Sequence, residues 1–198
     1  MNMNILSFSC TNFGAKFIKK AEISKFNDAK QQGYLPVDAS LVELNPYNKN
    51  DIEAVAKTVR KWGYDDEFGY CILDDLNAIK CGEVDSKTDK IYAVTVQNNN
   101  FRKLDYNKII GLGETTKRTK HKTEINFLQV EPESTYLRGS KKYINTGRTL
   151  VEYFMSKNNF KELIVKATYK AANFYEKLGF EIIDTKELIY SWQKLLKK

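Results

Sequence analysis

Two stretches of the sequence bring together residue types that can bind an anion and move a proton. In the first, the apolar segment Phe127-Leu-Gln-Val130 is followed by basic residues and then by Thr146-Gly147, which opens an apolar-periodic segment. This order predicts a buried strand, a loop and a helix. The first backbone N–H groups of a helix lack intrahelical partners and lie at the positive end of its dipole. We therefore expect an anion-binding site at this helix start.

The second stretch is Ala171-Ala-Asn-Phe-Tyr-Glu-Lys-Leu-Gly-Phe180. Its apolar residues recur at helical spacing, and Gly179 is suited to a left-handed helix end. The pairing of Thr123–Val151 with this segment, in this order, resembles the GNAT superfamily of acetyl-CoA-dependent N-acetyltransferases. The resemblance implies that the first stretch holds the pyrophosphate of coenzyme A and that the second closes the site.

The same resemblance implies an α+β fold, with a mixed, mostly antiparallel central sheet flanked by helices and a splayed central strand that binds the cofactor. Residues 39–198 are predicted to form this acetyltransferase domain. Residues 1–38 are expected to be an N-terminal extension, with some helix, that packs on the core. Hydrophobic patterns elsewhere agree with this arrangement, since they predict strands at Ala39–Pro46, Lys90–Gln97 and Lys108–Thr115 and a helix from Asn50 to Gly63.

In the family, the phosphate loop has a basic residue or glutamine, two residues, a glycine, one residue, and a glycine or alanine. Lys142-Tyr-Ile-Asn145-Thr-Gly147 has the basic residue and the last glycine, with Asn145 at the middle glycine position. Asparagine tolerates positive φ better than most residues, so the loop can still turn around a pyrophosphate. An ordinary basic helix start is the alternative interpretation. The residues predicted to bind acetyl-CoA are Leu128, Gln129, Val130, Lys141, Lys142, Tyr143, Ile144, Asn145, Thr146, Gly147, Arg148, Asn173 and Phe174.

Acetyl transfer to an amine requires a base for the ammonium, a donor for the oxyanion and a proton for the leaving thiolate. Tyr175 matches the family's tyrosine that protonates the thiolate; as a core aromatic it would also fit the helical spacing. Glu124 is predicted to be the base, with Glu114, Glu131 and His121 as rivals.

The sequence also departs from the family pattern at the position seven residues before this tyrosine, where many members have an asparagine. Thr168 stands there, and Asn173 is the neighbouring substitute.

Composition limits the class of protein. The chain has 198 residues, no apolar run long enough for a membrane helix, and a net charge of +7 that suits polyanions such as coenzyme A. Its three cysteines, Cys10, Cys71 and Cys81, show no metal or disulfide spacing, and His121 is the single histidine. We therefore expect a cytoplasmic protein with reduced thiols, no metal and no membrane association, either a monomer or a homodimer.

The acceptor amine stays open among a small molecule, a protein amine and aminoacyl-tRNA, the substrate of several GNAT-like toxins. A set of basic residues, expected to lie in one region, could follow a phosphate backbone, although a solvated basic hairpin is the simpler interpretation. Acids such as Asp65, Asp66 and Asp75 could instead attract a cationic acceptor, or form a solvated loop face. A non-catalytic protein that kept the fold is a further alternative. The basic residues are Arg102, Lys103, Lys108, Lys117, Arg118, Lys120 and Lys122.

Overall fold

The computed structural model describes residues 13–27, 33–63, 67–135, 141–157 and 161–194, the side chain of Glu67 excepted. An eight-stranded sheet has the order β1-β4-β5-β6-β7-β9-β11-β10, and a three-stranded sheet has the order β3-β2-β8. The strands are β1 (Lys16–Lys20), β2 (Ile23–Phe26), β3 (Tyr34–Val37), β4 (Ala39–Glu43), β5 (Asp89–Val96), β6 (Ile109–Lys117), β7 (Lys122–Val130), β8 (Tyr143–Ile144), β9 (Glu162–Lys166), β10 (Glu181–Asp184) and β11 (Ile189–Gln193). The helices are α1 (Lys49–Trp62), α2 (Glu67–Cys81), α3 (Thr146–Ser156) and α4 (Ala172–Lys177).

Helices cover both faces of the large sheet. Side chains of α3 and α4 share one buried cluster with residues such as Tyr92 and Val94 of β5. Side chains of α1 and α2 share a second cluster with Ile91 and Ala93 of the same strand, as the two-residue side-chain period of a strand requires. The described strand pairs are antiparallel except for β7 with β9. The predicted α+β class with a mostly antiparallel sheet is confirmed.

Two helices show where the local prediction was right and where it was incomplete. Helix α1 ends at Gly63 as predicted, with φ of 88°. Its N-cap is Asn48 rather than Asn50, because the Asn48 side chain accepts hydrogen bonds from the backbone N–H groups of Asn50 and Asp51. Helix α2 contains Asp75 of the acidic region, which was expected to attract a cationic acceptor or form a solvated loop face. Asp65 and Asp66 of that region lie outside the described residues.

The described part of the amino-terminal segment forms strands where the sequence suggested some helix. β1 pairs with β4 at the edge of the large sheet, and β2 pairs with both β3 and β8. Lysines flank the adjacent apolar residues Phe17 and Ile18, a pattern that fits an edge strand as well as a short helix.

The central strand β7 separates from its neighbour β9. Pairing between them runs only from Lys122 opposite Glu162 to Ile125 opposite Val165. β7 then continues along β6 to Val130, and none of the described strands pairs with its other edge over residues 126–130. This confirms the predicted splayed central strand, and the backbone groups on that edge of β7 have no strand partner among the described residues.

A bulge at Asn126 resets the side-chain alternation of β7. Phe127 is opposite Glu114 and Ile125 is opposite Thr115, so Asn126 is the extra residue. Ile125 and Leu128 consequently both face the cluster beside α3 and α4, whereas Phe127 packs on the cluster beside α1 and α2.

Candidate active site

An open groove of about 540 Å³ lies where β7 leaves β9 and α3 begins. Ten of the thirteen residues predicted to bind the cofactor line it. They are Leu128, Val130, Lys141, Tyr143, Ile144, Asn145, Thr146, Gly147, Arg148 and Phe174. The structure therefore gathers most of the predicted cofactor residues around a single space.

The start of α3 faces this groove with an uncapped amino end. Its N-cap, Asn145, has φ of 70° and makes no side-chain capping hydrogen bond. Asparagine thus supplies the left-handed turn for which the family uses glycine. The Thr146 hydroxyl is buried without a hydrogen-bond partner in the described part of the chain. Buried orphan donors at a helix start are the groups that an anion would satisfy.

Gly147 keeps the first turn of α3 close to its neighbours. A Cβ atom there would lie 3.3 Å from Cζ of Phe174 and 3.5 Å from Cδ2 of Leu128. Those two side chains line the groove, so a larger residue at position 147 would occupy its space. The open helix end and the orphaned hydroxyl fit a pyrophosphate group.

Three predicted cofactor residues are placed elsewhere. The Lys142 ammonium lies 3.0 Å from Glu131 and 2.8 Å from Glu133, and these carboxylates raise its pKa to about 12 against the opposing effect of burial. Gln129 is buried on the opposite face of the sheet, near Gly69 of α2. Asn173 is exposed and does not line the groove.

Two groove cations were missed by the sequence analysis. Lys170 and Lys177 line the same groove as Lys141 and Arg148. Arg148 is in turn held by Glu152, with Nε 2.6 Å from Oε1. The sequence signal was weak, since Lys170 lies in a short 3₁₀ turn before α4 and Lys177 ends α4 within the Ala171–Phe180 segment.

A second, smaller cavity of about 280 Å³ continues from the groove at Leu128. Tyr175 lines it and is 4% exposed, and burial raises the pKa of its phenol. Thr168, at the family's asparagine position, also lines it, as do the neighbouring rings of Phe68 and Phe127, whose centroids are 5.7 Å apart. The cavity spans the gap between β7 and β9 and so links the α3 and α4 face with the face under α2.

The predicted base and its rivals have different surroundings. The Glu124 carboxylate pairs with Arg118, with Nε 2.7 Å from Oε2, and lines neither cavity. His121 lies in the exposed β6–β7 turn, and Glu131 is paired with Lys142.

Glu114 is the rival that is buried next to the smaller cavity. It is 1% exposed, and burial raises its pKa to about 8, opposed by a hydrogen bond from Asn126 and assisted by Asp75 and Asp89. Asn126 lines the cavity, and its Nδ2 donates to Oε1 of Glu114 over 2.7 Å. Oε2 of Glu114 and Oδ1 of Asn126 are buried without a hydrogen-bond partner among the described residues. A titratable group of this kind beside a cavity is a typical proton-transfer residue.

The basic residues expected to lie in one region are divided. Lys108 precedes β6 and Lys117 ends it, which separates the two groups by roughly 25 Å of strand. Arg118 is paired with Glu124, and Lys122 lies 3.9 Å from Glu162. The single basic patch predicted from the sequence is therefore two smaller ones, because β6 and β7 form a long hairpin.

Comparison with known proteins tests the fold. No protein-family model and no curated protein matches the sequence. Among solved structures, a GNAT-family acetyltransferase from Staphylococcus aureus Mu50 is 16% identical, with 78% of this chain and 98% of that chain covered and a TM-score of 0.52. The chain has the fold of the GNAT acetyltransferases.

Other structures with this GNAT fold match to the same degree. AtaTR bound with acetyl-CoA is 16% identical, with 79% of this chain and 93% of that chain covered and a TM-score of 0.53. AtaT complexed with acetyl-methionyl-tRNAfMet is 15% identical, with 79% and 95% covered and a TM-score of 0.52. At these identities the similarity concerns the fold.

Neither a membrane-spanning helix nor a metal-binding cluster occurs within the described ranges. None of the helices there is long and apolar enough to cross a membrane. No group of at least three histidine, cysteine or acidic side chains in the same ranges is arranged to hold a metal ion.

Proposed function

We propose that this protein is an acetyl-CoA-dependent N-acetyltransferase that transfers the acetyl group directly to an amine. The observation that carries the proposal is the groove at the β7 splay, which combines a strand edge that none of the described strands pairs, an open helix amino end and cationic side chains. Acetyl-CoA would supply an activated acetyl thioester there. The GNAT fold of the chain supports the same activity.

The groove residues have separate roles in binding. The N–H groups at the start of α3 and the cations Lys170 and Lys177 would bind phosphate oxygens. The free edge of β7 beside Leu128 would pair with the amide groups of the pantetheine arm. The thioester would then lie where Leu128 lines both cavities, next to Tyr175.

Tyr175 would act as the acid for the leaving thiolate. Because burial raises the pKa of its phenol, the hydroxyl keeps its proton at neutral pH until a stronger base forms beside it. The sequence-based role of Tyr175 stays a prediction, now with a position in the cavity that suits it.

Glu114, rather than Glu124, would accept the proton of the acceptor ammonium. Its pKa of about 8 lies much closer to that of an amine than the ordinary value of 4.5, so its carboxylate is the stronger base. The N–H bond of the ammonium would break with its proton going to Glu114, and the freed nitrogen lone pair would attack the thioester carbonyl. The C–S bond would then break as Tyr175 protonates the departing thiolate, and Tyr175 would regain a proton from the attacking nitrogen. Asn126 lies between Glu114 and the cavity and would position the amine through its unpartnered Oδ1.

The proposal is tested by calorimetric titration of the purified protein with acetyl-CoA. We expect binding in the micromolar range for the wild type and no detectable binding for Gly147→Trp, because the indole would fill the space between Phe174 and Leu128. Ser156→Trp, at the exposed other end of the same helix, is the matched control and should bind normally. Absence of binding by the wild type at low salt would reject the proposal.

Turnover is then measured as release of free thiol from acetyl-CoA in the presence of amines, peptides or aminoacyl-tRNA. The AtaT complex with acetyl-methionyl-tRNAfMet motivates the last of these as the second candidate function. Acetylation of aminoacyl-tRNA that weakens steeply with added salt would support it. Acetyl-CoA binding without turnover on any class would favour the non-catalytic alternative.

A further inference from the structure

The amino-terminal hairpin formed by β2 and β3 is attached to the loop that opens α3. Ser24 of β2 is opposite Ile144 of β8, and Lys25 is opposite Tyr143. The N–H of Phe26 donates to the carbonyl of Lys142 over 2.9 Å. β8 is at the edge of this small sheet, so β2 is its only strand partner within the described residues.

The position of the α3 amino end depends on β8. Asn145 follows β8 directly, turns the chain through its left-handed conformation, and is the N-cap of α3. It makes no side-chain capping bond that would hold the helix start independently. A strand of two residues is not stable by itself, so its partner β2 fixes where the first N–H groups of α3 lie.

Buried contacts reinforce this attachment. Ile23 of β2 is 1% exposed and shares a core cluster with Tyr143 of β8 and Leu150 of α3. On the other side, the N–H of Tyr143 donates to the Ser134 hydroxyl over 3.0 Å. Both Tyr143 and Ser134 line the groove, whereas Ile23 and Phe26 do not.

We infer that the β2–β3 hairpin is a positioning element of the acetyl-CoA site, so that pairing of β2 with β8 and binding of acetyl-CoA stabilise each other. The inference rests on the proposed function for its ligand. Because coupling between two equilibria is reciprocal, it predicts two effects: weakening the pairing weakens binding, and binding strengthens the pairing.

The first effect is measured by calorimetry on a matched set of variants. Phe26→Pro removes the N–H that bonds to Lys142, and we expect Kd for acetyl-CoA to rise about three- to tenfold. Asn27→Pro is the control, because it removes the neighbouring bond from Asn27 N–H to Gly33 on the outer side of the hairpin. Phe26→Ala keeps the N–H and controls for the ring. Both controls should bind within about twofold of the wild type.

The second effect needs no variant and remains available if Phe26→Pro does not fold. Hydrogen exchange of the wild type should show that acetyl-CoA slows exchange of the Phe26 amide, although Phe26 does not line the groove. Equal affinities across the variants, or unchanged exchange at Phe26 under saturating acetyl-CoA, would overturn the coupling while leaving the proposed function intact. Failure of the wild type to bind acetyl-CoA would overturn both.

Discussion

The two cavities that meet at Leu128 differ in charge and in exposure. The larger groove is open and carries cations such as Lys170 and Lys177 on its rim. The smaller cavity is mostly apolar, and behind Asn126 lies the buried carboxyl of Glu114. Exposed charges interact weakly and are screened by salt, whereas a buried group changes its pKa strongly. Under the proposed function, binding of a polyanion is therefore separate from transfer of a proton, and substitutions should affect one without the other.

The largest expected effect is on turnover, from Glu114→Gln. Removing the proton acceptor should lower kcat about 10²- to 10⁴-fold on the acceptor found by the thiol-release screen, with Kd for acetyl-CoA unchanged in calorimetry. Glu124→Gln is the matched control and should stay within about threefold, because Glu124 is paired with Arg118 away from both cavities. A large loss in Glu124→Gln with normal Glu114→Gln would restore the sequence-based assignment.

Tyr175→Phe should also reduce turnover while sparing binding. The substitution removes the proton donor but keeps the ring that packs against Phe180, at a centroid distance of 5.5 Å. We expect kcat to fall about 10²-fold, measured by the same thiol release. Tyr190→Phe, whose hydroxyl bonds to Glu176 outside both cavities, controls for loss of a phenol. An unaffected Tyr175→Phe would leave Tyr175 as a core aromatic.

The buried carboxyl should also be visible in the pH dependence of stability. Since the folded-state pKa of Glu114 is raised from 4.5 to about 8, the folded protein binds the extra proton between these values. Its contribution to the free energy of unfolding therefore falls as pH rises through that window, by up to about 1.4 kcal/mol per pH unit. Urea unfolding from pH 5 to pH 8 should show a flatter profile for Glu114→Gln, and identical slopes would contradict the raised pKa.

The smallest expected effects are at the rim of the larger groove. Lys170→Ala and Lys177→Ala should each raise Kd for acetyl-CoA about two- to fivefold at low salt, with kcat unchanged. Added salt should shrink the difference from the wild type. Lys186→Ala, in an exposed turn outside the groove, is the control. A change in kcat in either rim variant would mean that binding and proton transfer are not separate.

Much of the larger groove could be predicted because many of the residues that form it are close together in the sequence. The strand, the left-handed position at Asn145 and the close approach at Gly147 follow one another within one stretch of chain. The smaller cavity is assembled from Phe68, Asn126 and Tyr175, which lie on different elements, with Glu114 of β6 behind Asn126. Their meeting depends on strand register and on a bulge, and side-chain periodicity does not specify either.

Lys142 was assigned to the groove for a related reason. A basic residue in a phosphate loop resembles a phosphate ligand, but Lys142 forms ion pairs with Glu131 and Glu133, and these carboxylates neutralise its charge. These ion pairs depend on the tertiary structure, so the local sequence does not predict them. Conversely, Lys170 and Lys177 were overlooked because the family motif directs attention to the residues between them.

The bulge at Asn126 determines which face of the sheet each later residue of β7 occupies. Before it, the strand presents Ile125 to the layer of α3 and α4; after it, the parity of the strand is inverted, so that Leu128 faces the same layer. A strand of the same length without the bulge, alternating regularly after Ile125, would instead turn Leu128 towards α2 and carry Gln129 into the groove. The single extra residue therefore shifts the side-chain alternation of β7, so that the same strand contributes Leu128 to the groove and Gln129 to the opposite face.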